Sequence, residues 1–115
     1  MNTLVEIRLF TVSPGRRDEF DRVSREGTIP MMRRWGITVL DHGPCLNDEN
    51  GYFLVRAFES EEQRVEGAKE FYASAEWEEN YEELVMGMID DYHTAVVPAG
   101  DLVRLLDTSA ASTGA

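Results

Sequence analysis

The chain has 115 residues, of which 43% are hydrophobic, and its 22 acidic and 11 basic residues give a net charge of −11. This size and hydrophobic content predict one globular domain with its own core and argue against a disordered chain. The acidic balance argues against a nucleic-acid groove, which needs clustered Lys and Arg. The apolar runs are too short to cross a bilayer and no signal peptide is visible, so no membrane association is expected. The single cysteine, Cys45, excludes an internal disulfide and is typical of the cytoplasm.

The first predicted element is a strand that begins at Leu4 and ends before the Ser13-Pro14-Gly15 turn. Its residues alternate between an apolar side and a side that mixes an acid, a base and an aromatic. The apolar side carries Val5, Ile7 and Leu9, and the mixed side carries Glu6, Arg8 and Phe10. We expect the apolar side to face the core and the mixed side to line a pocket.

A helix is predicted to follow, with Ser13 as its N-cap and Pro14 at its first position. It should continue into the mid-twenties. Pro30 removes a backbone donor, so the helix should kink or restart there. Gly36 should end the second piece.

Two further strands are predicted at Ile37 to Gly43 and Tyr52 to Phe58, with a turn at Asn50-Gly51 between them. In each strand, one set of alternating residues is expected to join the mixed side of the first strand and face the pocket. This set is Thr38, Leu40, His42, Tyr52, Leu54, Arg56 and Phe58.

The C-terminal half is predicted to be mainly helical before a last strand. Ser60 and Gln63 fit a capping box, and Ser74 can cap a second helix. A fourth strand is expected from about Asp91 to Val97. We expect the domain to span residues 1–106, with a short element at 101–106 and a mobile tail at 107–115.

The order strand, helix, strand, strand, helix, helix, strand predicts an α+β, ferredoxin-like fold. Its four-stranded antiparallel sheet should carry helices on one face. A monomer would then expose a large apolar patch on the other face. The expected patch is Leu4, Phe10, Leu40, Tyr52, Leu54 and Phe58. A homodimer whose two sheets enclose a cavity would cover it.

The chain combines the motifs Glu6-x-Arg8-x-Phe10, Val12-x-Pro14-Gly15, Ile29-Pro30, Trp35-Gly36 and Ala75-Glu76-Trp77. Together they resemble the NIPSNAP family of the dimeric α+β-barrel superfamily, which includes the antibiotic-biosynthesis monooxygenases. The resemblance runs from about Leu4 to Pro98 and implies a homodimer with a central barrel. It does not fix the chemistry, because the superfamily includes cofactor-free oxygenases, cyclases, isomerases, dehydratases and proteins without known activity.

The charged residues of the mixed side are the first candidates for a site. Arg8 could hold a carboxylate, phenolate or enolate, and Glu6 could move a proton. Arg56 would add a second cation that suits an anionic ligand. The alternative is structural: Glu6 pairs with Arg8 or Arg56, within the chain or across a dimer.

His42 is the candidate general base, because a neutral imidazole titrates near pH 7. The alternative is a half-solvated residue at the end of its strand. Thr38 shares its expected face. Phe10, Tyr52 and Phe58 would stack on an aromatic ligand, unless they are simply core or interface residues.

No metal and no bound cofactor are expected, because the two histidines lack ligand spacing and no glycine-rich phosphate loop is present. Two functions remain open. The first is a cofactor-free enzyme of secondary metabolism, such as a monooxygenase, cyclase, dehydratase or isomerase, that acts on an aromatic or polyketide-like anion. The second is a non-catalytic ligand-binding or interaction protein of the same fold.

Overall fold

The computed structural model describes residues 1–100 of the chain. The predicted element at 101–106 and tail at 107–115 lie outside this range. The strands are β1 (Leu4–Val12), β2 (Thr38–Pro44), β3 (Gly51–Phe58) and β4 (Ile89–Pro98). The helices are α1 (Arg17–Val23), α2 (Ile29–Arg34), α3 (Glu61–Tyr72), α4 (Ala75–Asn80) and α5 (Glu82–Met88), with a π-helical segment at Ser24–Thr28 between α1 and α2.

The four strands form one antiparallel sheet in the order β2-β3-β1-β4. This order places the first strand between the third and the last. It is the ferredoxin-like α+β arrangement that the sequence predicts. No helix within residues 1–100 is both long and apolar enough to span a membrane.

The helices cover the face of the sheet that carries the mixed residues, so the predicted assignment of the two faces is wrong. Glu6 lies opposite Arg56, and Phe10 lies opposite Tyr52. Arg56 contacts Met32 of α2, and Phe10 packs on Phe20 of α1 at a ring-centroid distance of 5.5 Å. The core therefore lies on the side that was expected to be open.

The opposite face carries the smaller apolar residues that were predicted to form the core. Val5 and Ala57 are buried there, whereas Ile7, Phe53 and Val55 are only partly buried. Leu9 is 48% exposed. This face, which we call the open face, lies away from the helices.

A bulge in β2 changes the side of several predicted site residues. The register between β2 and β3 shifts between Val39 and Asp41. Thr38 consequently lies beside Ala57 on the open face, whereas His42 lies opposite Leu54 on the helix-covered face. The prediction that Thr38 and His42 share a face is wrong, because an extra residue interrupts the two-residue alternation.

The helix N-termini follow the predicted caps in the second half of the chain only. The Ser60 hydroxyl accepts from the Gln63 amide at 3.0 Å, and the Gln63 side chain accepts from the Glu59 amide at 2.6 Å. Ser74 likewise caps α4 by accepting from the Trp77 amide at 3.2 Å. Ser13 caps no helix, because α1 begins at Arg17 and the Ser13 hydroxyl instead donates to Asp90 at 2.6 Å.

The helix is interrupted before Pro30 as predicted, but by a π-helical segment through which the backbone stays helical. Residues Ser24–Thr28 are π-helical, and α2 begins at Ile29, with Pro30 in its first turn. A Cβ atom at Gly27 would lie 2.6 Å from the Tyr81 ring, so the absent side chain leaves room for that ring. Tyr81 separates α4 from α5, where a single helix was predicted.

Candidate functional site

A cavity of about 290 Å³ lies between the sheet and the helices. Its lining is mostly apolar and aromatic, with few polar groups, which is typical of small-molecule sites. The residues that line it are Arg8, Phe10, Phe20, Ser24, Thr28, Ile29, Met32, Tyr52, Leu54, Tyr72, Trp77, Glu82, Val85, Met86, Ile89 and Tyr92.

The sheet contributes residues from three adjacent strands to one wall. Arg8 lies opposite Leu54 of β3 and opposite Thr94 of β4. Phe10 lies opposite Tyr52 and Tyr92 in the same two strands. Since residues two apart on a strand share a face, these side chains all reach the same space.

The helices form the other wall. Trp77 of α4 packs edge-on against Tyr72 of α3 at a centroid distance of 4.9 Å. Ser24 and Thr28, both in the π-helical segment, are buried against the cavity. A π-turn shifts the helix face that follows it, and such segments are frequent at functional sites.

Arg8 is the cation of the cavity lining. Its Nε donates to the Thr94 hydroxyl at 3.1 Å, and its guanidinium lies 5.4 Å from the centre of the Tyr92 ring. Its Nη2 lies 3.6 Å from Glu6, which is a loose ion pair. The guanidinium is thus oriented by three neighbours but retains donors that a ligand could use.

Glu6 and Arg56 form an ion pair that is fully buried behind this wall. The Glu6 Oε1 accepts from the Arg56 Nε at 2.8 Å and from its Nη2, and the Glu6 Oε2 accepts from Arg64 at 2.9 Å. Burial alone would raise the pKa of Glu6, but the guanidiniums of Arg56 and Arg8 and the hydrogen bonds hold that pKa below its usual value. Glu6 is therefore a carboxylate at neutral pH.

The same cluster carries an excess of positive charge. Arg8, Arg56 and Arg64 surround Glu6, and Arg64 also pairs with the exposed Glu61. Three guanidiniums thus face two carboxylates beside the cavity, in a chain whose net charge is −11. Glu82, the other charged residue of the lining, is exposed, so water screens it more strongly than the buried groups.

His42 belongs to a hydrogen-bonded chain at one side of the cavity. Its Nδ1 lies 2.9 Å from the Tyr52 hydroxyl, which donates to Asp21 at 2.7 Å. Because that hydroxyl has one hydrogen, Nδ1 must carry a proton and donate to it. Burial lowers the pKa of His42, and it raises the pKa of Tyr52, with the Asp21 hydrogen bond adding to the second shift. The imidazole is thus neutral near pH 7 with Nε2 unprotonated.

The predicted site residues divide into three groups. Arg8, Phe10 and Tyr52 line the cavity. Glu6, Arg56, Phe58 and His42 lie on the same side of the sheet but are not part of the lining. Thr38 lies on the open face, so it does not share their space.

The helix-borne residues of the cavity, Tyr72, Trp77 and Val85, are not among the predicted site residues, which all lie on predicted strands. The π-segment residues Ser24 and Thr28 had no sequence signal. The aromatic pair Tyr72 and Trp77, five residues apart across a capping serine, was the one signal that could have marked this wall.

Nothing in the described part of the chain groups three or more His, Cys, Asp or Glu side chains in a way that could hold a metal ion. Cys45 lies partly buried in the loop after β2. It is not part of the cavity lining.

Comparison with solved structures shows the fold of NIPSNAP family proteins. A NIPSNAP family protein from Agrobacterium tumefaciens superposes with a TM-score of 0.76 at 14% identity, over 83% of this chain and 90% of that chain. A second one from the same organism, of unknown function, gives a TM-score of 0.77 at 15% identity, over 84% and 87%. At such identities the likeness establishes the fold.

Proteins that resemble antibiotic biosynthesis monooxygenases share this fold too. One from Nitrosomonas europaea gives a TM-score of 0.61 at 15% identity, over 82% of this chain and 95% of that chain. No protein-family model matches the sequence, and no curated protein matches it. The fold relationship that the sequence motifs predict is therefore confirmed, and the relatives leave the chemistry open.

Proposed function

We propose that this protein binds a small organic anion with a flat apolar body in the cavity between its sheet and helices. The observation that carries the proposal is Arg8, a guanidinium that lines a mostly apolar cavity beside a cluster with excess positive charge. A carboxylate, phenolate or enolate would accept its remaining hydrogens. Phe10, Tyr52 and Trp77 offer aromatic surfaces to the rest of the ligand.

The size of the cavity supports a compact ligand. Its volume of about 290 Å³ is at the lower end of the range for small-molecule pockets, about 300 to 1,000 Å³. One or two fused aromatic rings suit this volume better than an extended polyketide. The ligand would thus be an aromatic acid or a short cyclised intermediate.

The test is the affinity for 2-naphthoate and for its uncharged isostere 2-naphthamide, measured by calorimetry. We expect the acid to bind more tightly than the amide, because only the acid pairs with Arg8. Replacing Arg8 by Gln should weaken acid binding by roughly 10- to 100-fold, since a hydrogen bond to a charged group contributes about 1.5 to 3 kcal/mol. Amide binding should change little.

The matched control is Arg22→Gln, which removes an exposed guanidinium of α1 that pairs with Glu26 at 3.8 Å. It should leave both affinities unchanged. Equal affinity for the acid and the amide in the unsubstituted protein would overturn the proposal. So would an Arg8→Gln variant that loses acid and amide binding equally with an unchanged melting temperature.

A second candidate function is proton-transfer catalysis without a cofactor, with His42 as the base. The observation that favours it is the imidazole, which is neutral near pH 7 with Nε2 unprotonated. His42 lies beside the lining residue Tyr52 and outside the lining itself, so the substrate would have to extend past the Tyr52 hydroxyl to reach Nε2. Acceleration of hydrogen–deuterium exchange at the methylene of benzoylacetate, followed by NMR, would report such activity. His42→Gln should lower the exchange rate by about 100-fold or more and leave the affinity unchanged. Equal exchange rates in the two proteins would exclude His42 as the base.

A homodimer completes the proposal. The open face of the sheet offers an apolar surface that includes Leu9, Phe53 and Val55, and a second copy could cover it. In such a dimer each ligand site would lie within one chain, between its own sheet and helices. The dimer interface and the ligand cavity would then be on opposite faces of the sheet.

A further inference from the structure

We propose that Tyr72 is a second ligand-binding group of this cavity, held by the buried Arg56 so that its hydroxyl donates a hydrogen bond to a second oxygen of the ligand. This inference rests on the anion-binding function proposed above. It narrows the ligand class to aromatic acids that carry a further hydroxyl, keto or enolate oxygen on the ring system, away from the carboxylate.

The hydrogen bonds of the Tyr72 hydroxyl are the first support. Its oxygen accepts from the Arg56 Nη1 at 3.4 Å. Within residues 1–100, no side chain or backbone group accepts the hydrogen of this hydroxyl. A phenol that accepts a hydrogen bond from a cation becomes a better donor, because the bonds polarise one another. Tyr72 thus has a donor to offer, and it is part of the cavity lining.

The burial of Arg56 is the second support. Its side chain has no exposed surface, and Glu6 satisfies its Nε and Nη2. The Nη1 is directed at Tyr72 and, at 3.9 Å, at the Met32 sulfur. Both residues line the cavity, so the buried cation lies directly behind that part of the wall. A positive charge there favours developing negative charge on a ligand oxygen that Tyr72 holds.

A continuous network then joins the two ligand contacts. Glu6 accepts from Arg56 through Oε1, and its Oε2 lies 3.6 Å from the Arg8 Nη2. Arg8 is therefore linked to Tyr72 through Glu6 and Arg56, and all four residues lie on one side of the sheet. The buried pair thus also holds two hydrogen-bond donors, Arg8 and Tyr72, at the wall of one cavity. Arg56 is a positioning residue, and Tyr72 is the one that would touch the ligand.

The test compares 2-naphthoate with its monohydroxylated positional isomers by calorimetry. For the unsubstituted protein, we expect at least one isomer to bind roughly 10-fold more tightly than 2-naphthoate. Tyr72→Phe should remove that gain and leave the affinity for 2-naphthoate itself within about 2-fold. A residue that only packed against its neighbours would not distinguish the hydroxylated acid from the parent acid.

The control is Tyr81→Phe, which removes a phenolic hydroxyl of a residue outside the cavity lining. It should preserve the gain for the hydroxylated isomer. If 2-naphthoate binds but no isomer gains affinity, or if the gain persists in Tyr72→Phe, the role of Tyr72 is overturned and the anion site stands. If 2-naphthoate does not bind at all, the proposed function fails and this inference fails with it.

Discussion

Glu6 and Arg56 are buried in the core as an ion pair, and each depends on the other. Both side chains are fully buried, and Arg56 has no other carboxylate partner among residues 1–100. Removal of one charge would leave the second charge desolvated without compensation. The sequence leaves open whether these residues bind a ligand or pair with each other. In the folded protein they pair with each other and lie behind the cavity wall.

Glu6→Gln should therefore destabilise the protein by about 3 to 5 kcal/mol. The measurement is the free energy of unfolding from urea denaturation. Glu61→Gln is the matched control, because Glu61 also pairs with Arg64 at 2.5 Å but is exposed. Its effect should be small. Similar losses of unfolding free energy in the two variants would contradict a stabilising role that depends on the burial of the Glu6–Arg56 pair.

The pH dependence provides a second readout of the same residue. The pKa of Glu6 is lower in the folded protein than its usual value, so the ionised group stabilises the folded state above the unfolded pKa of about 4.3. That contribution is lost as the pH falls through the folded pKa. The unfolding free energy of Glu6→Gln should consequently fall less steeply in acid than that of the unsubstituted protein.

At the scale of elements, the strand pattern and the order of elements could be predicted from sequence, and the side covered by helices could not. Both sides of β1 and β3 carry apolar residues, so alternation alone does not choose between them. The charges of Glu6 and Arg56 suggested a wet or pocket-facing side. In the folded sheet these two residues are directly opposed, which allows them to be buried together.

Local irregularities account for the other errors in the predicted site. The β2 bulge after Val39 moves Thr38 to the opposite side from His42, and single-sequence alternation does not reveal a bulge. The π-segment before α2 brings Ser24 and Thr28 into the cavity. For that region, only an interruption of the helix near Pro30 could be predicted.

Two helical glycines, Gly27 of the π-helical segment and Gly67 of α3, provide a test at this scale. A Cβ at Gly27 would lie 2.6 Å from Tyr81, whereas a Cβ at Gly67 of α3 would meet nothing within 4 Å. Gly27→Ala should destabilise the protein by about 1 to 3 kcal/mol because of overpacking. Gly67→Ala should stabilise it by about 1 kcal/mol, because Ala is the better helix former. Effects of the same sign in thermal unfolding would contradict the close Gly27–Tyr81 packing.

At the scale of the whole molecule, the open face makes the proposed homodimer testable. Sedimentation equilibrium at micromolar concentration should give about twice the chain mass of 13.0 kDa. Leu9→Asp should shift the equilibrium to the monomer, because an unpaired carboxylate would be buried in the interface. Leu9 is 48% exposed in the single chain, so the variant should still fold.

Leu46→Asp is the control, because Leu46 is fully exposed in the loop between β2 and β3. It should leave the dimer unchanged. Leu54→Asp, which the sequence pattern would have suggested, is unsuitable because Leu54 is buried under the helices and its substitution would unfold the chain. A monomeric unsubstituted protein would reject the dimer and leave the cavity within each chain unaffected.

The five methionines can report directly whether a ligand binds between the sheet and the helices. Met32 and Met86 line the cavity, whereas Met31 and Met88 are buried outside the lining and Met1 is fully exposed. The measurement is a titration of methyl-labelled protein with 2-naphthoate by NMR. We predict that the Met32 and Met86 methyl signals shift most, since an aromatic ring beside them changes their shielding. Saturation with unchanged Met32 and Met86 signals would contradict ligand binding between the sheet and the helices.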